Sequence, residues 1–451
     1  MEFNSINPYS GEVVATYPAQ STEGVQAILQ RSREAFEVWR LVPLEERCAL
    51  MREVANILRG GVEEYGRVIT LEMGKPIAES RAEVAKCALV CDYYADRAPE
   101  FLKPEVIETS AAESYVRFDP IGSVLAIMPW NFPFWQVFRF AAPTLIAGNT
   151  GLLKHAPNVF GSAITIEDIF RKAGFPEGVF QNLILHHDAI ESVVAHKHVK
   201  AVTLTGSERA GVAVAQMAGK YLKKSVLELG GSNAFIVWDD ADIDAAVQTG
   251  VAARMLNTGQ SCIAAKRFII VEKVYDEYVS KFTQAVEDLI AGDPLEEGTQ
   301  VGPLARHDLA DQLHRQIEES IKLGAILHSG GGQRGAFHEP TILGEVTPEM
   351  PAFNQETFGP LAAMIRAKDA EHAFALAEDS TYGLGVTICT TDIEMARVYV
   401  EKSSDGAVFI NEGVKSDPRL PFGGTKCSGY GRELAKEGIV EFVNTKTVYV
   451  K

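Results

Sequence analysis

The sequence has few cysteines, and their spacing excludes two kinds of stabilised scaffold. Six occur among 451 residues, and they do not recur at short, regular spacings. They are Cys48, Cys87, Cys91, Cys262, Cys389 and Cys427. A disulfide framework or a zinc ribbon has regular spacing, so we predict neither, and we expect a reducing, cytoplasmic setting. Cys87 and Cys91 share a helical pattern without a further Cys or His nearby, which favours core packing, and we predict no metal site.

Long apolar runs and an excess of basic residues are also missing. No run reaches the ~18 apolar residues of a membrane span, and residues 1–8 show no basic stretch followed by an apolar one. We therefore expect no membrane span and no export signal. Lys and Arg number 43 against 60 Asp and Glu, and the formal net charge is −17. This balance excludes nucleic acid and anionic membrane as partners, so an acidic ligand needs a local cluster of positive charge.

What is present is typical of a globular α/β protein. Hydrophobic residues make up 46% of the chain and charged residues 23%, and the length predicts two or three domains. Apolar positions recur three and four residues apart over 22–60 and 62–103, which predicts helices. Residues 104–128 alternate in polarity and predict a hairpin. From Gly122 onward strands and helices alternate, as parallel sheets with crossover helices require, and a final strand is predicted at 445–450.

A polar turn, Asn257–Cys262, lies between a helical segment and a strand-like one. A loop thiol beside backbone N–H groups can be held as a thiolate and used as a nucleophile. The alternative is a small buried hydrophobic residue, which describes most free cysteines.

Two further segments lie where strands end and helices begin. Gly206 and Ser207 precede a helix whose free N–H groups suit a phosphate, although the order G-x-G-x-x-G is absent there and Ser207 alone predicts a plain helix cap. Lys154 ends a short strand and is placed to donate to a ribose or a 2′-phosphate. A carboxylate three residues later would bind ribose and repel phosphate, but that position is Pro157. The sequence therefore neither excludes NADP nor selects it.

An acid and an amide complete the polar candidates. Glu228 closes a strand before two glycines, where it is either a general base for water or a salt-bridge partner of Lys223 or Lys224. Asn131 follows another strand, where its amide either donates to an oxyanion, together with the Cys262 N–H, or forms an Asx turn before proline.

Taken together and in order, these segments closely resemble the aldehyde dehydrogenase superfamily over nearly the whole chain. The matching motifs are Asn131, Lys154, Gly206-Ser207, Glu228-Leu229-Gly230-Gly231, Gly259-Gln260-Ser261-Cys262, Glu356-Thr357-Phe358-Gly359-Pro360 and Pro421-Phe422-Gly423-Gly424-x-Lys426-x-Ser428-Gly429. The resemblance implies two Rossmann-type parallel-sheet domains plus a β oligomerisation element. It assigns 1–103 and 126–228 to cofactor binding, 229–420 to catalysis, and 104–125 with 438–451 to oligomerisation strands. Those strands would be unpaired in a monomer, which implies a homodimer or homotetramer.

The same resemblance implies residue roles. Cys262 attacks the aldehyde, Asn131 and the Cys262 N–H hold the oxyanion, and Glu228 activates water to hydrolyse the thioester. NAD or NADP is the implied cofactor. The residues implied to bind it are Trp130, Lys154, Pro157, Gly206, Ser207, Leu229, Glu356 and Phe358.

The substrate prediction depends on Arg139, eight residues after Asn131. In an aromatic cleft that includes Trp135, a guanidinium there would bind a distal carboxylate, and Ser416 would assist. This placement resembles short bacterial succinate semialdehyde dehydrogenases, although Leu256 stands where some of them have a second arginine. The alternatives are a helix-surface ion pair for Arg139, and a glutarate semialdehyde or broad aliphatic enzyme for the activity. A cysteine esterase and a non-catalytic scaffold are alternatives of other classes.

Overall fold

The computed structural model describes residues 2–451. The helices of this range are α1 Thr22–Trp39, α2 Leu44–Gly60, α3 Val62–Met73, α4 Ile77–Phe101, α5 Trp135–Ile146, α6 Phe160–Lys172, α7 Ile190–Ala195, α8 Glu208–Lys220, α9 Ile243–Met255, α10 Glu272–Glu287, α11 His307–Lys322, α12 Pro351–Asn354, α13 Ala370–Glu378, α14 Ile393–Val400 and α15 Ala435–Val440. Short 3-10 turns occupy Pro157–Val159, His187–Ala189 and Leu256–Gly259.

The strands alternate with these helices through most of the chain. They are β1 Glu2–Ile6, β2 Val13–Pro18, β3 Glu105–Val106, β4 Glu113–Pro120, β5 Ser123–Met128, β6 Thr150–His155, β7 Phe180–Asn182, β8 Val199–Thr205, β9 Lys224–Glu228, β10 Asn233–Val237, β11 Ala265–Val271, β12 Ile326–Ser329, β13 Gln333–Arg334, β14 Phe337–His338, β15 Thr341–Gly344, β16 Leu361–Ala367, β17 Tyr382–Gly383, β18 Val386–Cys389, β19 Val408–Ile410, β20 Thr425–Lys426, β21 Gly429–Tyr430 and β22 Val443–Val450. The α/β class predicted from the sequence is confirmed.

The helices begin and end where local chemistry dictates. Ser21 accepts a hydrogen bond from the Gly24 N–H and caps α1, whose apolar residues face the core. The region 22–60, predicted as helical, is interrupted before α2 by Pro43, which cannot continue a helix. The region 62–103 is likewise interrupted at Gly74, which ends α3 in the left-handed conformation with φ 77°.

The first large sheet has six strands in the order β21-β9-β8-β5-β6-β7, within the described residues. Its strands run parallel except β21, which pairs antiparallel with β9 through Gly429 and Glu228. Strand β5 is buried along its whole length, as expected when helices cover both faces. Parallel strands end at one edge of the sheet, so β5, β6, β8 and β9 all deliver their following loops to that edge.

The second large sheet has seven strands in the order β12-β15-β16-β11-β10-β18-β19, again within the described residues. All neighbours are parallel except β12 and β15. The Asn257–Cys262 turn connects α9 to β11, the central strand of this sheet. The nucleophile candidate is therefore fixed by the second sheet, and the loops of the first sheet approach it.

A third sheet has the order β22-β4-β3. The predicted hairpin is confirmed, because β3 pairs antiparallel with β4. The expectation that these strands are unpaired within one chain is wrong, since β22 pairs with β4 from Val443–Pro120 to Val450–Glu113. Within residues 2–451 the outer edges of β22 and of the two-residue strand β3 remain without a strand beside them. Residues 123–125, predicted to belong to this element, lie instead in β5 of the first sheet.

No helix in residues 2–451 is both long enough and apolar enough to cross a membrane.

Candidate active site

The turn that carries Cys262 has an unusual backbone. Asn257 and Thr258 adopt positive φ values of 56° and 54°, and Gly259 follows at 72°. This left-handed conformation is costly for a β-branched residue such as Thr258, so the surrounding structure must hold it. At Gly259 a side chain is also excluded by space, because a Cβ there would lie 2.4 Å from the Gly359 carbonyl oxygen. The turn is thus strained at the place where the sequence predicts the nucleophile.

A half-buried carboxylate and a fully buried guanidinium hold the turn. The Glu79 carboxylate accepts from the Asn257 N–H at 2.7 Å. Arg254, which is fully buried, donates to the carbonyl oxygens of Thr357, at 3.2 Å, and of Gly359. Arg254 therefore joins the nucleophile turn to the Glu356–Pro360 segment, which the sequence assigns to the cofactor.

The surroundings of the Cys262 thiol favour its protonated form. Burial raises its pKa to about 11, although the positive charges of Lys266 and Arg139 act in the opposite direction. Burial therefore opposes the thiolate that a loop thiol beside backbone N–H groups can form. Lys266 Nζ donates to the carbonyl oxygens of Ser261 at 3.0 Å and Cys262 at 2.9 Å, so it lies directly behind the nucleophile. The sequence analysis missed Lys266, although it lies only four residues after Cys262.

Two amide groups near the thiol are arranged for an oxyanion. Asn131 is buried, and its Nδ2 donates one hydrogen to the Gln260 carbonyl oxygen at 3.0 Å. The amide group has a second hydrogen that this contact leaves available. The backbone N–H of Cys262 has no acceptor within the part of the chain that the structure describes. The Asx-turn alternative is not needed to explain Asn131, because its side chain bonds to the nucleophile turn instead.

Glu228 is a buried acid with no partner among the described residues. Only 2% of it is exposed, and neither carboxylate oxygen has a hydrogen-bond donor within residues 2–451. Burial and the neighbouring Glu433 raise its pKa well above the usual value, which suits a general base better than a fixed anion. The salt-bridge alternative is wrong. Lys223 donates to the carbonyl oxygens of His196 and Val199, and Lys224 pairs with Glu441.

Arg139 is not left for a substrate carboxylate. Its guanidinium is ion-paired with Glu433, donates to Thr205 Oγ1 at 3.3 Å, and lies 4.6 Å from the centre of the Phe422 ring. Only 3% of the residue is exposed, so the helix-surface alternative does not apply either. The ion pair disfavours the predicted role of carboxylate clamp, because a second anion bound there would compete with Glu433. Sequence reasoning overlooked Glu433, which follows the Pro421–Gly429 motif by four residues.

Trp135 and Ser416, the other predicted substrate residues, meet through a side chain that the sequence analysis did not consider. Lys86 of α4 donates from Nζ to Ser416 Oγ at 2.7 Å and lies 4.2 Å from the centre of the Trp135 ring. Nothing in the sequence marked Lys86, since a lysine on an amphipathic helix is ordinarily a solvated surface residue. The structure thus places a cation between two predicted substrate residues.

The adenosine end of a cofactor has a candidate ligand in Lys154. This residue lies next to the last position of the parallel-sheet strand β6, is 2% exposed, and has no hydrogen-bond or ion-pair partner within residues 2–451. Burial lowers its pKa to about 8. Pro157 begins the short 3-10 turn that follows, so the position that would carry a competing carboxylate is neutral. A buried cation without a partner fits the phosphate or ribose of a dinucleotide.

The predicted phosphate site is the junction between β8 and α8. Ser207 Oγ accepts from the Ala210 N–H at 3.3 Å, so the helix-cap interpretation is confirmed for its side chain. Gly206 donates its N–H to the Glu228 carbonyl oxygen at 3.0 Å, which joins this junction to the end of β9. Leu229 lies against Gly211, where a Cβ would be 2.5 Å from a Leu229 methyl carbon. These contacts leave the first turn of α8 facing the edge where ligands of parallel sheets bind.

The nicotinamide end has candidates in the second sheet. Glu356 accepts from the Gly231 N–H at 3.0 Å and lies 3.4 Å from Lys266 Nζ. The Phe358 ring packs edge-to-face with Trp130 at 5.7 Å between centroids. These three predicted cofactor residues therefore lie together beside Cys262, and the residues present fit a nicotinamide nucleotide.

The relatives of this chain agree with that arrangement. The family model described as "Aldehyde dehydrogenase family" matches residues 1–448. A protein of Synechocystis sp., named a probable NADP(+) succinate-semialdehyde dehydrogenase, is 48% identical over 453 residues and is covered 100%, as is this chain. The Escherichia coli protein named NAD(P)+ succinate semialdehyde dehydrogenase Sad is 47% identical over 99% of this chain and 97% of its own.

A solved structure extends the likeness to three dimensions. The succinic semialdehyde dehydrogenase from Streptococcus pyogenes, in complex with NADP+, superposes with a TM-score of 0.97 at 40% identity over 99% of both chains. The resemblance predicted from the spaced motifs is confirmed. The chain belongs to the aldehyde dehydrogenase family.

Proposed function

We propose that this protein oxidises succinate semialdehyde to succinate with NAD or NADP. One observation carries the chemistry: Cys262 has an unengaged backbone N–H beside the Asn131 amide, and a buried, unpartnered Glu228 lies close enough to influence the thiol. The choice of aldehyde is supported by the relatives named above and by the Lys86 cation beside Trp135 and Ser416.

The first step forms a bond between Cys262 Sγ and the aldehyde carbon. The thiol proton leaves to water, which the charges of Lys266 and Arg139 favour because they lower the pKa of Cys262. The carbonyl electron pair moves onto oxygen. The second Asn131 amide hydrogen and the Cys262 N–H then donate to this oxyanion, and such preorganised donors stabilise the tetrahedral state.

The second step removes a hydride from that carbon and re-forms the carbonyl as a thioester. When bound, NAD(P)+ supplies the hydride acceptor. Lys154, Ser207 and the first turn of α8 would hold its adenosine and phosphate portion, and Glu356, Phe358 and Trp130 would hold its nicotinamide portion.

In the last step Glu228 takes a proton from water as the water oxygen attacks the thioester. The C–S bond breaks, the sulfur is reprotonated, and the carboxylic acid leaves. A raised pKa makes the Glu228 carboxylate a stronger base than an exposed one, which is the property this step needs. Gly423 makes room for this side chain, since a Cβ there would lie 2.8 Å from Glu228 Oε1.

Both cofactors are compatible with the adenosine site. Lys154 offers a positive charge, Pro157 offers no negative one, and the charge of Arg209 reaches the same region, because Lys154 and Arg209 both lower the pKa of His187. This local positive charge contrasts with the net charge of −17 and suits a 2′-phosphate.

We also propose an oligomeric state and a cellular compartment. The free edge of β22 supports a homodimer or homotetramer, because an exposed strand edge is stabilised by a partner. The dispersed, free cysteines support a cytoplasmic setting. We propose that residues 1–103 with 126–228 form the cofactor-binding domain and that residues 229–420 form the catalytic domain.

The function is tested by initial rates with succinate semialdehyde, glutarate semialdehyde and butanal, each with NAD and with NADP. A kcat/KM for succinate semialdehyde well above the other two supports the proposal. A preference for glutarate semialdehyde shows a longer carboxylated substrate, and similar values for all three show a broad aliphatic enzyme. Ester hydrolysis that exceeds every oxidation rate would make the cysteine esterase the main activity.

A further inference from the structure

Lys86 is a half-buried cation that no acid of the described chain neutralises directly. It lies on α4, and its Nζ contacts Ser416 Oγ and the face of Trp135, but no carboxylate of residues 2–451 lies within ion-pair distance. A lysine in such a place loses hydration without gaining a counter-ion. Burial and the charge of Arg139 accordingly lower its pKa to about 8.

The neighbouring cations are in a different situation. Lys75 pairs with Glu83, Arg139 with Glu433, and Lys266 with Glu356. Each of these three cations thus has an internal acid beside it, whereas Lys86 has none within ion-pair distance among residues 2–451.

The acids nearest to Lys86 are already engaged. Asp417, next to Ser416 in sequence, is bound by Arg419 through two contacts of 2.6 and 2.8 Å. Glu83, one turn before Lys86 on α4, accepts from the backbone N–H groups of Phe134 and Trp135 as well as from Lys75. Neither is free to rotate toward Lys86 without losing these bonds.

Lys86 is linked to the nucleophile through residues of α5. Trp135 and Phe422 belong to one hydrophobic cluster, and Cys262 packs against that cluster. The charge of Arg139 lowers the pKa of both Cys262 and Lys86, so Arg139 lies within electrostatic range of each. Trp135, whose ring centre lies 4.2 Å from Lys86 Nζ, belongs to the same helix as Arg139.

We propose that Lys86 Nζ, with Ser416 Oγ beside it, binds the distal carboxylate of the substrate and sets the preference for ω-carboxy aldehydes. The inference rests on the proposed function. It assigns the preference for carboxylated aldehydes to Lys86 of α4 and not to Arg139 of α5. The substrate carboxylate pairs with Lys86 as internal acids pair with the three neighbouring cations. The Trp135 ring supplies an apolar surface for the methylene groups of the substrate.

The test compares Lys86→Met with Lys86→Arg, using succinate semialdehyde and butanal as substrates of equal chain length. Lys86→Met keeps the length of the side chain and removes its charge. Loss of one charged hydrogen-bonded contact corresponds to about 10- to 150-fold, so kcat/KM for succinate semialdehyde should fall by that factor, mainly through KM. The value for butanal should change less than about 3-fold, and Lys86→Arg should retain most of the preference.

Two matched variants complete the design. Lys273→Met removes an exposed charge that pairs only with Asp239 at the surface, and it should leave both substrates unaffected. Ser416→Ala should raise KM for succinate semialdehyde by a smaller factor than Lys86→Met. Equal losses on both aldehydes in Lys86→Met, or no loss on either, would overturn the assignment.

A binding measurement separates this inference from the proposed function. Succinate, the product, is titrated calorimetrically into the wild-type and Lys86→Met proteins at pH 7, below the pKa of Lys86. Binding that weakens at least about 10-fold in the variant supports the carboxylate site even if the wild type shows no preference among aldehydes, in which case only the proposed function fails. Unchanged succinate binding overturns the Lys86 assignment, whereas a wild-type preference for succinate semialdehyde leaves the proposed function standing.

Discussion

Arg139 and Glu433 form an ion pair in the interior of the protein, between α5 and the segment just before α15. Glu433 also forms a two-way backbone bridge with Phe422, with N–H to carbonyl distances of 2.7 and 2.8 Å, and the Phe422 ring covers the guanidinium. The same Glu433 charge raises the pKa of Glu228. This pair therefore links the C-terminal motif to the proposed general base.

Arg139→Met should destabilise the protein, because Glu433 would remain buried without its partner. Removing one member of a buried ion pair costs about 3–5 kcal/mol, so we expect a lower melting temperature and similar kcat/KM losses for succinate semialdehyde and butanal. The double variant Arg139→Met with Glu433→Met should recover much of the stability. A loss restricted to carboxylated aldehydes, with unchanged melting, would restore Arg139 as a substrate ligand.

Alkylation of Cys262 should show a late rise with pH. Because burial raises the thiol pKa to about 11, the rate with iodoacetamide should keep increasing between pH 7 and pH 10 instead of reaching a plateau. The measurement is the mass of the Cys262 peptide after timed labelling of the cofactor-free protein. A plateau near pH 7 would show that the thiolate is already formed.

Lys266→Met should slow this alkylation, since the charge of Lys266 lowers the pKa of Cys262. Burial lowers the pKa of Lys266 itself to about 8, so its positive charge is present below pH 8 and is lost above it. The difference between variant and wild type should therefore be largest at pH 7 and shrink toward pH 10. A constant ratio across this range would mean that Lys266 acts through loop position and not through charge.

Glu228→Gln should separate the two half-reactions. The first hydride transfer uses Cys262, Asn131 and the Cys262 N–H, so rapid mixing should still show a burst of reduced cofactor near one per site. Hydrolysis of the thioester needs the base, and the steady rate should fall by about 100-fold or more. Cys262→Ala, as the control, should bind cofactor and show neither burst nor turnover. A Glu228→Gln protein with no burst would place Glu228 in the first step.

Lys154→Met should distinguish the two cofactors. If Lys154 binds the 2′-phosphate, KM for NADP should rise by about 10- to 150-fold, which is the size of a lost charged hydrogen bond, and KM for NAD should change much less. The same aldehyde is used at saturation in both assays. Equal increases would assign Lys154 to the ribose hydroxyls that both cofactors share.

Much of the fold and several site residues followed from local sequence. The alternation of strand-like and helical segments predicted β5, β9 and β11, and the resemblance carried by seven motifs, which include Asn131, Glu228 and Cys262, predicted the family. These signals are local, because strand ends, helix starts and glycine turns are governed by neighbouring residues. The sequence did not predict which distant segments pair with each other. The sequence did not show that β22 returns to pair with β4.

The charges of the site were decided by tertiary structure. The sequence presents Arg139 in the right place for a carboxylate and gives Lys86 no distinguishing mark. Only the packing of α4, α5 and the C-terminal segment shows that Arg139 is ion-paired with Glu433 and that Lys86 has no acidic side chain within ion-pair distance. The free energy of a buried charge depends on which groups surround it in space, and residues far apart in sequence supply those groups. Sequence determined the motifs that contain the proposed catalytic residues, and the fold determined which charged side chains are paired and which are left without a partner.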